Sequence, residues 1–149
     1  MADKLQFELV SPEKLLLSES VGMVVVPGTE GNFGVLPGHA LFISTVRPGI
    51  IDVYEDKTVS ERIFVSGGFA EVTPERCTVL ADEAVPLSSL DRGAIDAEAK
   101  TLESTLSGLK DQVARLSGTE RDEAAARLRE TERQLGVAAA KLAALGAVH

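Results

Sequence analysis

All six prolines of this 149-residue chain, Pro12, Pro27, Pro37, Pro48, Pro74 and Pro86, fall before residue 87. Proline fixes φ and withholds an amide donor, so it belongs at turns and strand ends and breaks helix interiors. The stretch 87–149 contains none and is rich in Ala, Leu, Glu and Arg, so long helices can run there and not before it. Charge divides at the same place. Residues 1–86 carry 6 Lys and Arg against 13 Asp and Glu, a net of −7, whereas residues 87–149 carry 9 against 10, a net of −1. Two domains are expected, 1–86 and 87–149, with Pro86 as the last breaker before helix.

The first part reads as sheet. Leu5 to Val10 alternates apolar and polar residues, and Ser11-Pro12-Glu13-Lys14 supplies a turn. Leu15 to Leu17, Val21 to Val26, Ile50 to Tyr54, Val59 to Val65, Phe69 to Val72 and Cys77 to Leu80 are further short strands separated by turn chemistry. Their spacing indicates an all-β sandwich or barrel. Residues 27–39, Pro-Gly-Thr-Glu-Gly-Asn-Phe-Gly-Val-Leu-Pro-Gly-His, hold two of the prolines and four of the 13 glycines. At Gly28, Gly31, Gly34 and Gly38 positive φ is open to the chain. A shaped loop is therefore expected between a strand ending in Val24-Val25-Val26 and one beginning at Leu41-Phe42-Ile43. It is either a structural corner or a contact surface carried on a rigid sheet.

The second part reads as two helices. Ile95, Ala99, Leu102, Leu106, Leu109, Val113 and Leu116 recur at alternating steps of 4 and 3, the seam of a heptad helix. Ser88 three residues before Asp91 suggests a capping box, and Thr119 three before Asp122 another. Between the helices lies Ser117-Gly118-Thr119. A second seam follows, Ala124, Leu128, Thr131, Leu135, Ala138, Leu142 and Leu145, with Gly146 as a stop. So short a connection makes the pair antiparallel, although Ser107-Gly108 offers an earlier end to the first helix. A buried Leu contributes about 2 kcal/mol and ordering a residue costs about 1.5 kcal/mol, so an Ala-diluted seam needs another surface to lie on. The expected fold class is α+β, an N-terminal all-β sandwich followed by a C-terminal antiparallel two-helix hairpin.

Several function classes are disfavoured. A net charge of −8 repels phosphate backbones, and Trp is absent, so nucleic acid is not an expected partner. The single cysteine, Cys77, excludes an internal disulfide and reads as a buried thiol; with only His39 and His149 beside it, no zinc site is expected. No long apolar run occurs, and Met1 to Val10 carries Asp3, Lys4 and Glu8 rather than a leader, so a soluble, unsecreted chain is expected. No phosphate-binding glycine loop ending in Lys-Ser or Lys-Thr, nucleophile elbow or His-Glu-x-x-His is present. Glu30 and His39 on one loop are the only acid-base pair worth naming, and no catalytic residue, metal or cofactor is assigned. Arg121, Arg127, Arg129, Arg133 and Lys141 on the second helix are either solvated charges among Glu123, Glu130 and Glu132 or cationic contacts to an acidic partner.

Taken together, Pro-Gly-x-Glu-Gly-x-Phe-Gly-Val-Leu-Pro-Gly-His-Ala at 27–40, Arg-Pro-Gly at 47–49, Val-Ser-Gly-Gly-Phe-Ala-Glu-Val at 65–72 and Thr-Val-Leu-Ala-Asp at 78–82 carry a resemblance. In order and spacing the chain resembles the bacterial F-type ATP synthase epsilon subunit over essentially its whole length. That resemblance implies a non-catalytic rotor subunit bound to the gamma subunit and to the membrane-embedded ring of c subunits. Such a subunit couples proton flow to ATP synthesis, peripheral at the cytoplasmic face of the bacterial inner membrane. It further implies a c-ring contact at Glu30, Gly31, Asn32, Phe33, Gly34, Leu36, Pro37, Gly38 and His39. After His39-Ala40, members commonly have Pro where Leu41 stands here. The family's hairpin can extend toward the beta subunit and inhibit ATP hydrolysis, with Arg121, Arg127, Arg129 and Arg133 as the candidates here. Some members bind ATP through Ile or Leu, Asp, two variable residues, Arg and Ala. Leu90-Asp91-Arg92-Gly93-Ala94-Ile95 keeps Asp91 but has Ala94 in place of the Arg, so strong ATP binding is not expected. Outside the resemblance, a free-standing binding module on a β-sandwich and an enzyme using Glu30 and His39 are the competing readings.

Overall fold

The structure, a computed structural model, describes residues 4–147. It divides into two compact units, one ending at Leu90 and the other beginning at Asp91. A short 3-10 turn, Leu87–Ser89, thus lies with the first unit rather than the helices.

In the first unit, ten strands run as β1 (Leu5–Val10), β2 (Leu15–Val21), β3 (Met23–Gly28), β4 (Gly31–Val35), β5 (Phe42–Val46), β6 (Gly49–Glu55), β7 (Thr58–Val65), β8 (Gly68–Val72), β9 (Arg76–Ala81) and β10 (Ala84–Pro86). Neighbouring strands follow the order β10-β7-β6-β3-β5-β8-β9-β1-β2, with β4 paired to β3 off this path. The pairs are antiparallel except β1 on β9, which is parallel. Strand alternation explains why the ladder folds around one core. Leu5, Phe7 and Leu9 on β1, Val24 and Val26 on β3, Ile51 and Val53 on β6, and Cys77, Val79 and Ala81 on β9 all point into one apolar cluster. A β-sandwich results, with Phe7, Leu5 and Ile51 fully buried at its centre.

Residues 27–39 are more ordered than a loop. β3 runs on to Gly28 and pairs with β4, from Val24 opposite Val35 to Gly28 opposite Gly31. Only Thr29 and Glu30 form the turn, so the stretch is a β-hairpin followed by a loop from Leu36 to Leu41. Of its four glycines, Gly31 and Gly38 take positive φ, +129° and +87°. Gly28 serves close approach instead, since a Cβ there would lie 2.8 Å from the Gly31 carbonyl and 3.0 Å from the Phe33 ring.

In the second unit, α1 (Arg92–Arg115) and α2 (Gly118–Ala147) pack on each other as a hairpin. All seam positions are buried or half-buried, with Ile95, Leu109, Ala124, Thr131 and Ala138 buried, and the α2 face is wider than the seam predicts, since Val137 and Ala144 are buried too. Four expectations about helix ends are corrected. Ser88 lies in the 3-10 turn and caps nothing; Asp91 caps α1, its Oδ1 accepting from the backbone N–H of Gly93 at 3.0 Å and Ala94 at 3.4 Å. Both serine and aspartate suit a cap, and the chain uses the one adjacent to the first helical turn. Thr119 lies inside α2, because Gly118, at φ +64°, turns the chain into the helix one residue earlier. Gly146 is helical, as is Gly108, so neither glycine ends its helix.

Candidate functional site

The β3–β4 hairpin and the loop after it place the sequence-derived contact residues in two groups. At the tip, Glu30 and Gly31 are exposed, and Asn32 lies in β4 with its Oδ1 accepting from Arg47 Nη2 at 2.6 Å. Phe33 is half-buried on the same strand, while Gly34 pairs with Val25. In the loop, Leu36 is exposed and Pro37 half-buried, and the Gly38 N–H donates to the Pro74 carbonyl at 2.7 Å. The His39 N–H donates to the Leu36 carbonyl at 3.1 Å and closes a tight turn.

Aromatic rings join the two groups. Phe33 meets Phe42 edge to face at 5.1 Å between centroids, and the His39 ring lies 6.3 Å from Phe42. His39 Nδ1 donates to the Ala40 carbonyl at 2.7 Å, which puts its proton on Nδ1 and fixes the ring's direction. Glu30 and His39 are not brought into an ion pair, so the loop does not assemble the acid-base pair that their sequence proximity suggested.

An apolar surface beside this loop was missed from the sequence. Leu41, Phe42 and Ile43 are 78%, 42% and 62% exposed in succession. Strand pairing sets Ile43 opposite Glu71, Phe69 opposite Leu80 and Leu80 opposite Val10, all on the face turned away from the core. Phe69 and Leu80 are about half exposed, and with Val10, Glu71 and Thr78 they line a shallow groove of about 320 Å³. Leu15 and Leu16 extend the exposed apolar surface to β2. Isolated exposed apolar residues are ordinary, but a contiguous row of large ones across four strands marks a surface made to be covered. Three consecutive exposed apolar residues at 41–43 were the signal available in the sequence.

On α2, Arg121, Arg127, Arg129 and Arg133 are all exposed. Arg121 Nε donates to the Val113 carbonyl in the last turn of α1 at 3.1 Å, and Arg127 Nη2 to Gln112 Oε1 at 3.1 Å. Both therefore hold the folded hairpin together. Arg133 pairs with Glu130 at 2.8 Å, and this hydrogen-bonded partner is the main reason the Glu130 carboxyl lies below its ordinary range. Asp91 is committed to its cap, and the N–H of Ala94 is one of the donors it receives. Among the described residues no three His, Cys, Asp or Glu side chains cluster as metal ligands, and no helix is long and apolar enough to cross a membrane. His149 lies outside the described residues.

Comparison with known proteins identifies this architecture. Residues 4–87 match the family described as ATP synthase, Delta/Epsilon chain, beta-sandwich domain. The ATP synthase epsilon chain of Rhodospirillum centenum is 63% identical over 115 residues, 76% of each chain. That of Parvibaculum lavamentivorans is 49% identical over 131 residues, 88% of this chain and 99% of the relative. A chain in the cryo-EM structure of the Euglena gracilis mitochondrial ATP synthase, OSCP/F1/c-ring in rotational state 1, shares the fold with a TM-score of 0.67 at 24% identity, covering 97% of this chain and 83% of that one. The match over the sandwich and the identities to these relatives show that this chain belongs to the family of ATP synthase epsilon chains, a non-catalytic subunit.

Proposed function

We propose that this chain is a central-stalk rotor subunit of a proton-translocating F-type ATP synthase, seated on the gamma subunit and in contact with the c-subunit ring. It sits peripherally at the cytoplasmic face of the bacterial inner membrane and carries an inhibitory C-terminal arm directed at the beta subunit. One observation carries this reading: the exposed apolar row from Phe69 through Leu80 and Val10 to Leu15, beside a polar hairpin tip. The first is suited to a permanent apolar interface, and the second to polar loops. The row is the proposed gamma seat, and Glu30 to Gly34 with Leu36 to His39 is the proposed ring contact.

The arm has its own support. Its seams are mostly half-buried and contain Ala99, Ala124, Thr131 and Ala138, so little apolar burial holds the helices together. Arg121 and Arg127 brace the folded form, and an acidic surface on the beta subunit competes for the same guanidinium groups. Removing residues 91–149 tests both parts. The shortened chain is expected to copurify with the rotor while ATP hydrolysis by the complex rises. Unchanged hydrolysis with retained assembly removes the inhibitory arm and leaves coupling standing; loss of copurification removes the β-unit as the rotor seat.

A further inference from the structure

The hairpin that carries Glu30 is weakly braced by its own strands. Glycines stand at both bases of the turn, Gly28 and Gly31, and among the described residues β4 pairs with β3 alone. Its direction is held from the side by the end of β5 and the residue after it. Thr29 N–H donates to the Thr45 carbonyl at 3.1 Å, and the two threonine hydroxyls lie 2.7 Å apart. Arg47 N–H donates to the Pro27 carbonyl at 2.9 Å. The Arg47 guanidinium reaches both strands at once: Nη1 donates to the Gly28 carbonyl and Nη2 to Asn32 Oδ1 at 2.6 Å. A planar fork serves two separated acceptors in one fixed geometry, which a lysine ammonium does not reproduce. Both acceptors are uncharged, and Glu30 makes no ion pair within the described residues, so its carboxylate is left for a partner.

We propose that Arg47 is a positioning residue for the ring contact: by bridging Gly28 and Asn32 across the Thr29-Glu30 turn it fixes the direction in which Glu30 is presented. The proposal rests on the reading of the tip as the ring contact and adds the residue that aims it. In the assembled complex, Glu30→Cys is paired with a cysteine introduced into the polar loop of the c subunit, and disulfide yield is measured. With Arg47 intact, crosslinking is expected. Arg47→Ala removes both guanidinium hydrogen bonds and is expected to lower the yield at least about tenfold, and Arg47→Lys to restore little of it. Copurification with the gamma subunit and the melting temperature remain near those of the parent, which a general loss of structure would not allow. Asn32→Ala removes one arm while leaving the arginine, and is expected to act in the same direction; it decides the matter if Arg47→Ala does not assemble. Unchanged yield in Arg47→Ala, or in Asn32→Ala where Arg47→Ala does not assemble, overturns the role of Arg47 and leaves the ring contact standing. Failure of Glu30→Cys to crosslink with Arg47 present overturns the ring contact itself, and this role with it.

Discussion

Gly68 has φ +145°, and a Cβ there would collide with the Leu80 carbonyl oxygen and lie 3.0 Å from the Ala81 Cα. Neither strand can withdraw, because Phe69 pairs with Leu80 and Ala70 with Val79 immediately beyond. Gly68→Ala is therefore expected to destabilise the sandwich by about 3 kcal/mol or more, read as a fall in the urea midpoint. Cys77 shows the opposite kind of constraint, a side chain enclosed on all sides in the core. Burial pushes its thiol from an ordinary value of 9.0 up to about 12. Below the ordinary value both folded and unfolded chains keep the proton, so this group adds no pH dependence. Above it the unfolded chain ionises first, and stability is expected to fall as pH rises from 9.0 toward about 12. A Cys77→Ala variant should lack this part of the alkaline slope in denaturant titrations. Native Cys77 should resist thiol reagents at pH 8 and react once the chain is unfolded.

At the scale of elements, the helices were the most legible part of the chain and the hairpin the least. A seam of seven positions at steps of 4 and 3 has no strand interpretation, and every seam position is buried or half-buried, although Val137 and Ala144, outside it, are buried as well. β4 was hidden because Gly31-Asn32-Phe33-Gly34 has the composition of a loop; its pairing with β3 overrides that preference. The apolar outer face was hidden for a different reason. Phe69 and Ala70 are both apolar, so alternation alone does not say which one faces the core; only the register against β9 does. Arg47 was visible as part of a turn motif, but its reach to Gly28 and Asn32 depends on contacts 19 and 15 residues away. The α1 cap was misplaced by three residues because Ser88 and Asp91 are equally suitable by type. Asp91→Ala is expected to cost the helical unit about 1 kcal/mol, seen as a lower midpoint in helix-detected thermal unfolding, whereas Ser88→Ala should cost little.

For the whole molecule, the decisive division is between side chains that hold the fold and side chains that stand outside it. Phe7 and Ile51 belong to the first kind, Phe69 and Leu80 to the second. Phe69→Glu or Leu80→Glu should change the unfolding free energy by no more than about 0.5 kcal/mol while releasing the chain from the proposed gamma seat, measured by copurification from membranes. An equal loss of stability and association would instead assign these residues to the fold. The same exposed row matters before any assembly exists. A free copy carries Leu41, Ile43, Phe69 and Leu80 in water, with Leu15 and Leu16 on β2, an edge strand paired on one side only. Excess copies made without a partner have one another as the nearest apolar surface. A copy made in excess of whatever covers this face is therefore expected to be the first to self-associate.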